Sequence, residues 1–258
     1  MSSRLHHGAP ILSRRAHLTL AAGTTGSRFA SVRLAVVGAS GGVGRWVVAL
    51  AASGGHTVTA VVRQTSSVAV IPGINVVRGD LTDPAFLEGA VDHHDAVVSC
   101  VGLRRAGKSP FARLLSPPDL TTRLASSLTR AMENRNVRRL VVISAGGVAD
   151  SIVRLTWPVQ QLVRTGTVAV AYRDLAGMEE RLAASSLDWL AVRPVTLMNG
   201  APLGRAREVD RYGLTSIIRR ADVAEFMLAA AVRHDYFVEH TVLLGSPRGA
   251  QPPSRRRA

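Results

Sequence analysis

The sequence predicts a single-domain α/β fold, a doubly wound parallel sheet carrying tails at both ends. Three observations carry that expectation. Short apolar runs, rich in valine and suited to buried strands, alternate along the chain with segments of helical pattern. The first run, Leu34-Ala35-Val36-Val37, leads straight into Gly38-Ala39-Ser40-Gly41-Gly42-Val43-Gly44, and a helix reads from Arg45 to Ala52. A length of 258 residues with 47% apolar side chains is enough for one sizeable core.

The glycine turn organises the rest. Its spacing is Gly38-x-x-Gly41-x-x-Gly44. Gly38 allows the sharp turn, Gly41 lets the backbone approach a pyrophosphate, and Gly44 lets the helix lie close to the strand. The backbone from Ser40 through Gly42, Val43 and Gly44 then offers free N–H groups to the phosphates, and the helix dipole favours their charge. A glycine triplet alone is also an ordinary turn; the strand before it and the helix after it point to dinucleotide binding. The spacing resembles that of the short-chain dehydrogenase/reductase superfamily, especially its extended and atypical branches. The expected architecture is Rossmann-like, with strand order 3-2-1-4-5-6 plus a seventh strand and a ligand crevice at the strand C-termini.

The second strand runs from His56 to Arg63 and ends without an acid. An NAD site places a carboxylate here to accept from the ribose 2′-hydroxyl. This chain has Arg63 and Gln64, then Thr65-Ser66-Ser67, and no Asp or Glu before Asp80. A guanidinium with neighbouring hydroxyls suits a 2′-phosphate, so NADP(H) is expected over NAD(H). The third strand, from Ile74 to Arg78, enters Gly79-Asp80-Leu81-Thr82-Asp83. That G-D-L-x-D resembles a recurrent feature of the extended and atypical branches, and the resemblance places Asp80 and Leu81 beside the adenine. Either acid can also cap a helix opening at Pro84; both roles fit together with Asp80 at the cofactor and Asp83 as the cap.

The fourth strand runs from Asp95 to Gly102, so Val101 and Gly102 can lie along the nicotinamide ribose, while Cys100 reads as core. A basic, proline-containing loop covers residues 103–118. A helix follows, with Asp119 or Thr121 as cap and Leu124, Leu128 and Met132 on one face. The fifth strand is Arg138 to Ser144. Residues 148–170 read as a flap or short helix, and a longer helix as spanning about Tyr172 to Ala184. The stretch from Ser185 to Pro194 resembles the S-G-L-D-W/Y-T-x-x-R-P signature of the atypical family that includes NmrA-like proteins and the biliverdin reductase B/flavin reductase type. Arg220 to Ala224 matches its R-x-D-V-A helix start, and Thr241 to Gly245 reads as the terminal strand. The resemblance covers roughly residues 33–246. It places Ser144 at the substrate carbonyl or the nicotinamide amide, and Pro194 at the cofactor; a strand-end serine capping a turn is the other reading of Ser144.

The usual short-chain enzyme uses a Tyr-x-x-x-Lys pair, in which lysine lowers the tyrosine pKa. Here the only lysine is Lys108, and Tyr172 is followed four residues later by Ala176. Members like biliverdin reductase B use an Asp-His dipeptide, as in D-H-x-x-M. This chain has Asp174-Leu175-Ala176-Gly177-Met178, which keeps the aspartate and methionine and lacks the histidine. The candidate catalytic residues are Ser144, Tyr172 and Asp174. The expected function is NADP(H)-dependent hydride transfer to a small quinone-, flavin- or carbonyl-like acceptor, with a non-enzymatic NADP(H)-sensing regulator or assembly factor as the alternative.

The formal charge of +14 suggests nucleic acid at first sight, but residues 1–33 carry five arginines and residues 248–258 four, with no acid in either segment. The body keeps about +5 and has no aromatic-interleaved basic patch, so no specific nucleic-acid partner is expected. The expected organisation is a basic, disordered extension over 1–31, the dinucleotide-binding domain over 32–247, and a basic tail over 248–258. Met1 to Val32 has the composition of an organelle presequence, and the stretch from Ser13 to Leu18 faintly resembles a twin-arginine signal. A disordered extension, or a start placed upstream, is the preferred reading. No uninterrupted apolar run reaches transmembrane length. One cysteine suits a reducing compartment, the expectation being the cytoplasm, or an organelle matrix if the extension is a presequence. No metal site is expected.

Overall fold

The computed structural model describes residues 31–67, 72–107 and 109–246. The two basic tails and Lys108 lie outside the described residues.

The sheet is built first by β1 (Arg33–Val37), followed by α1 (Gly44–Ser53), β2 (Thr57–Arg63), β3 (Asn75–Gly79) and α2 (Pro84–Val91). The second half continues with β4 (Ala96–Ser99), α3 (Leu120–Asn134) and β5 (Arg139–Ile143). A 3₁₀ turn at Ala149–Arg154 leads to α4 (Trp157–Val163), α5 (Gly166–Ala183) and β6 (Asp188–Pro194). The chain closes with β7 (Thr196–Met198), β8 (Arg207–Glu208), β9 (Ile217–Arg219), α6 (Arg220–Ala231) and β10 (Thr241–Gly245). The main sheet has the order β3-β2-β1-β4-β5-β6-β10-β8, so the expected 3-2-1-4-5-6 with a further strand is borne out. Strands β1 to β6 and β10 are parallel, and only β8 runs antiparallel, against β10.

Strand periodicity places alternate side chains in two cores, one on each face of the sheet. Leu34 and Val36 of β1, with Val141 and Ile143 of β5, join the core under α1 and α6. Ala35 and Val37, with Leu140 and Val142, join the core under α2, α3 and α5. Both faces are covered, which is why these strands read as continuous apolar runs rather than alternating ones. The face of α3 that carries Leu124, Leu128 and Met132 is buried, as its helical spacing predicts.

Three local features differ from expectation. Helix α5 begins at Gly166, well ahead of Tyr172. Its first turn is tied to the loop after β4, because the Thr167 N–H and hydroxyl both donate to the Pro110 carbonyl, at 2.8 and 2.9 Å. The β-branched residues there hide the helix from a propensity reading. Asp119 stands at the N-cap of α3 with no side-chain bond, and the capping carboxylate comes instead from Asp174 on α5. The two- and three-residue strands β7, β8 and β9 are too short to show a period in sequence.

Candidate functional site

The strand order reverses between β1 and β4, and a crevice opens there at the strand C-termini. It is lined by Gly38, Ser40 and Gly41 after β1, Arg63 ending β2, Asp80 and Leu81 after β3, and Val101 and Gly102 after β4. These eight residues, separate in sequence, therefore share one cleft. Thr82, Cys100, Arg104, Ser116 and Leu120 also line it. Ser144 and Pro194 lie farther along, at the ends of β5 and β6, where the Gly146 N–H donates to the Pro194 carbonyl at 3.0 Å.

The turn has a fixed internal geometry. Gly38 adopts φ +78°, and a Cβ there would lie 2.8 Å from Val101 Cγ2. At Gly44 a Cβ would lie 2.3 Å from the Gly38 carbonyl oxygen, so the start of α1 can close on the turn only without a side chain. The Gly41 N–H donates to that same carbonyl at 2.9 Å. The Gly42, Val43 and Gly44 N–H groups have no protein acceptor among the described residues. Unpaired amides at the N-terminus of a ten-residue helix form an anion receptor.

Across the crevice, Asp80 Oδ1 accepts from the Thr82 N–H and hydroxyl, each at 2.8 Å. Those bonds, the backbone one first, hold its carboxyl below the usual range, so it is an ionised acceptor at neutral pH. Asp83 accepts from the Ala85 N–H at 3.0 Å and caps α2, with Pro84 in the first helical position. Both carboxylates of the G-D-L-x-D stretch thus have separate positions. Desolvation pushes the Cys100 thiol, at the floor of the crevice, up to about 12, which keeps it protonated at neutral pH.

The three candidate catalytic side chains are all engaged by protein groups. Asp174 is buried, and its two carboxylate oxygens accept from the Thr121 and Thr122 N–H groups at 2.9 Å each. Ser144 Oγ donates to Glu179 Oε1 at 2.6 Å. Glu179 is in turn paired with Arg193, whose Nη1 also reaches Asp150 at 2.8 Å. Tyr172 and Tyr212 both donate to the Gly146 carbonyl, Tyr172 at 3.0 Å. Burial raises the Tyr172 pKa above that of a free phenol, the opposite of what a general acid needs near neutrality. Sequence reading missed Glu179, although it lies on the same helix as Tyr172 and Asp174; Arg193 was visible only as the arginine of the R-P signature. The Asp222 carboxylate of the R-x-D-V-A stretch is buried and accepts from the Leu203 and Gly204 N–H groups at 2.6 and 2.9 Å.

A family model described as NAD(P)H-binding matches residues 38–234, which takes in the turn, the crevice and the R-x-D-V-A helix. The chain belongs to the NAD(P)H-binding family. Solved structures agree at the level of fold for this NAD(P)H-binding chain. A short-chain dehydrogenase/reductase from Veillonella parvula, in complex with NADP, aligns with TM-score 0.68 at 15% identity, covering 84% of this chain and 95% of that one. The anaerobilin reductase ChuY from Escherichia coli O157:H7 aligns with TM-score 0.65 at 22% identity, over 85% and 99% of the two chains. The oxidoreductase ylbE from Lactococcus lactis gives TM-score 0.64 at 16% identity, over 83% and 91%. The expectation of an NAD(P)-binding family is borne out, and the resemblance to the short-chain reductases is borne out in fold.

A second, larger cavity of about 970 Å³ lies at the opposite, N-terminal ends of the strands. Its acids are consumed by arginines, as in Arg33–Asp95 and Arg139–Asp188, and it is remote from the glycine turn. Among the described residues no helix is long and apolar enough to cross a membrane, and no cluster of His, Cys, Asp and Glu could hold a metal.

Proposed function

We propose that the NAD(P)H-binding chain is an NADP(H)-dependent reductase that passes hydride to a quinone-, flavin- or carbonyl-like acceptor. The observation that carries this reading is the end of β2, where Arg63 lines the same crevice as the glycine turn and no carboxylate occupies the place that bonds a ribose 2′-hydroxyl. The residues present fit the dinucleotide. The Gly42, Val43 and Gly44 amides would hold the diphosphate, Asp80 the adenine amino group, and Arg63 the 2′-phosphate. Ser66 Oγ, buried without a partner among the described residues, is a further donor three residues beyond Arg63, whose carbonyl accepts from the Ser66 N–H at 3.0 Å. Val101 and Gly102 would lie along the nicotinamide ribose, with Pro194 bordering the ring.

When bound, the dihydronicotinamide supplies the hydride. The protein's part is to bind, orient and exclude water. Ser144 Oγ donates its hydrogen bond to Glu179, which leaves its oxygen free to act only as an acceptor, as a carboxamide N–H2 would need. Tyr172 spends its proton on Gly146, and Ala176 stands where the usual lysine would be. Proton delivery then falls to solvent, which suits acceptors that spread the added charge over a conjugated system. The likeness to an anaerobilin reductase adds that acceptor to the set to be tried.

The engagement of Ser144, Tyr172 and Asp174 by the protein itself favours a second reading, an NADP(H)-sensing regulator. Thermal shift with NADPH, followed by NADPH oxidation against flavin, quinone and anaerobilin acceptors, separates the two. Stabilisation with turnover supports the reductase. Stabilisation without turnover, together with a protein partner captured only in one cofactor state, supports the regulator. No stabilisation by either dinucleotide would refute both.

A further inference from the structure

We propose that Arg220, the first residue of α6, is a second clamp for the cofactor diphosphate, reaching over the glycine turn from the helix packed beside α1. The proposal rests on the dinucleotide reading of the crevice. Its geometric basis is Gly42. A Cβ at that position would lie 2.8 Å from Arg220 Cδ and 2.9 Å from Nε, so the arginine stem fills the space directly over the turn. Any side chain at Gly42 would displace the Arg220 stem from its present course. The guanidinium is steered by Nη1, which donates to Asn199 Oδ1 at 2.9 Å. No carboxylate pairs with it among the described residues.

The electrostatics of this placement call for an anion. Arg220 sits at the N-terminus of its own helix, where a cation is disfavoured. It also sits over the N-terminus of α1, whose first turn holds no acid and contains Arg45. The one acid in the first turn of α6, Asp222, spends an oxygen on the Leu203 and Gly204 amides. The unpaired amides of the turn and the Arg220 guanidinium thus lie together with no carboxylate paired to them among the described residues, Asp222 being turned to the Leu203 and Gly204 amides. A diphosphate seated beside the turn, within reach of the guanidinium end of Arg220, would engage the amides and the arginine together, and a guanidinium matches its oxygens in two-pronged fashion. Arg63 reads the 2′-phosphate at one end of the cofactor, and Arg220 holds the diphosphate in the middle. The two arginines should therefore act on different properties: Arg63 on the choice between NADPH and NADH, Arg220 on the affinity for both.

The experiment titrates NADPH, NADH and adenosine 2′-monophosphate, which carries no diphosphate, against the wild type, Arg220→Gln and Arg220→Lys at one salt concentration. Arg220→Gln is expected to weaken NADPH and NADH by the same factor, about tenfold or more, with adenosine 2′-monophosphate unchanged. Arg220→Lys, which keeps the charge but not the two-pronged donor geometry, is expected to recover part of the loss. Unchanged NADPH affinity in Arg220→Gln would overturn the proposal. So would an equal loss for adenosine 2′-monophosphate, since that places the effect away from the diphosphate. A wild type that binds adenosine 2′-monophosphate but neither dinucleotide would overturn the clamp and the dinucleotide reading together.

Discussion

Asp174→Ala removes the acceptor for two amides at the start of α3, and the structure sets the size of the effect. The Thr121 amide lies in a fully buried residue, so its bond at 2.9 Å has no water to replace it. The loss of that charge-assisted bond costs about 2 kcal/mol. The Thr122 amide, also at 2.9 Å, is part-buried, and water can recover some of its bond, leaving about 1 kcal/mol. The sum is about 3 kcal/mol. A domain of this size shifts by roughly 2–4 °C in Tm for each kcal/mol, so Tm should fall by about 6–12 °C. Asp174→Asn keeps one acceptor and presents an N–H2 to the other amide, so it should fall at least half as far. Calorimetry measures both, and NADPH titration well below the transition should return wild-type affinity. A variant with unchanged Tm and abolished turnover would refute the capping argument and return Asp174 to the chemistry.

Arg63→Ala should erase most of the preference for NADPH over NADH while sparing NADH, a change of roughly ten- to a hundredfold in the affinity ratio; an unchanged ratio would make Arg63 a solvated charge. Gly41→Val should abolish dinucleotide binding in a folded protein, because the added side chain enters the crevice and its Cβ would already lie 3.1 Å from the Gly38 carbonyl; calorimetric titration of NADPH checks it. Cys100 should resist a chromogenic disulfide reagent at pH 8 in the native state and react at once on denaturation, since burial pushes the thiol up to about 12. The folded state holds that proton more tightly than the unfolded chain does, so the Cys100 contribution is fully present below about pH 9 and is lost as pH rises toward 12. A stability curve flat across that window in wild type and Cys100→Ala alike would contradict the burial.

Much of the lining of the crevice beside the glycine turn was legible in the sequence because its residues sit at the ends of strands whose order follows from the βαβ pattern. Gly38, Arg63, Asp80 and Gly102 lie at or just beyond the ends of parallel strands, and parallel strands in a doubly wound sheet bring their C-termini to one edge. Local rules sufficed there, and likewise for the Asp83 cap of α2. The sequence alone also determined the two-faced burial of the strands, since only a sheet covered on both sides uses unbroken apolar runs. Tertiary structure decided the partners of polar side chains. Asp174 lies 53 residues from Thr121, Ser144 lies 35 from Glu179, and nothing in either neighbourhood announces the pairing. The contact of Arg220 with Gly42 crosses nearly the whole domain in sequence and exists because α1 and α6 cover the same face of the sheet. A periodic pattern reports which face of an element is buried; which polar group meets which depends on how elements far apart in the chain are laid side by side.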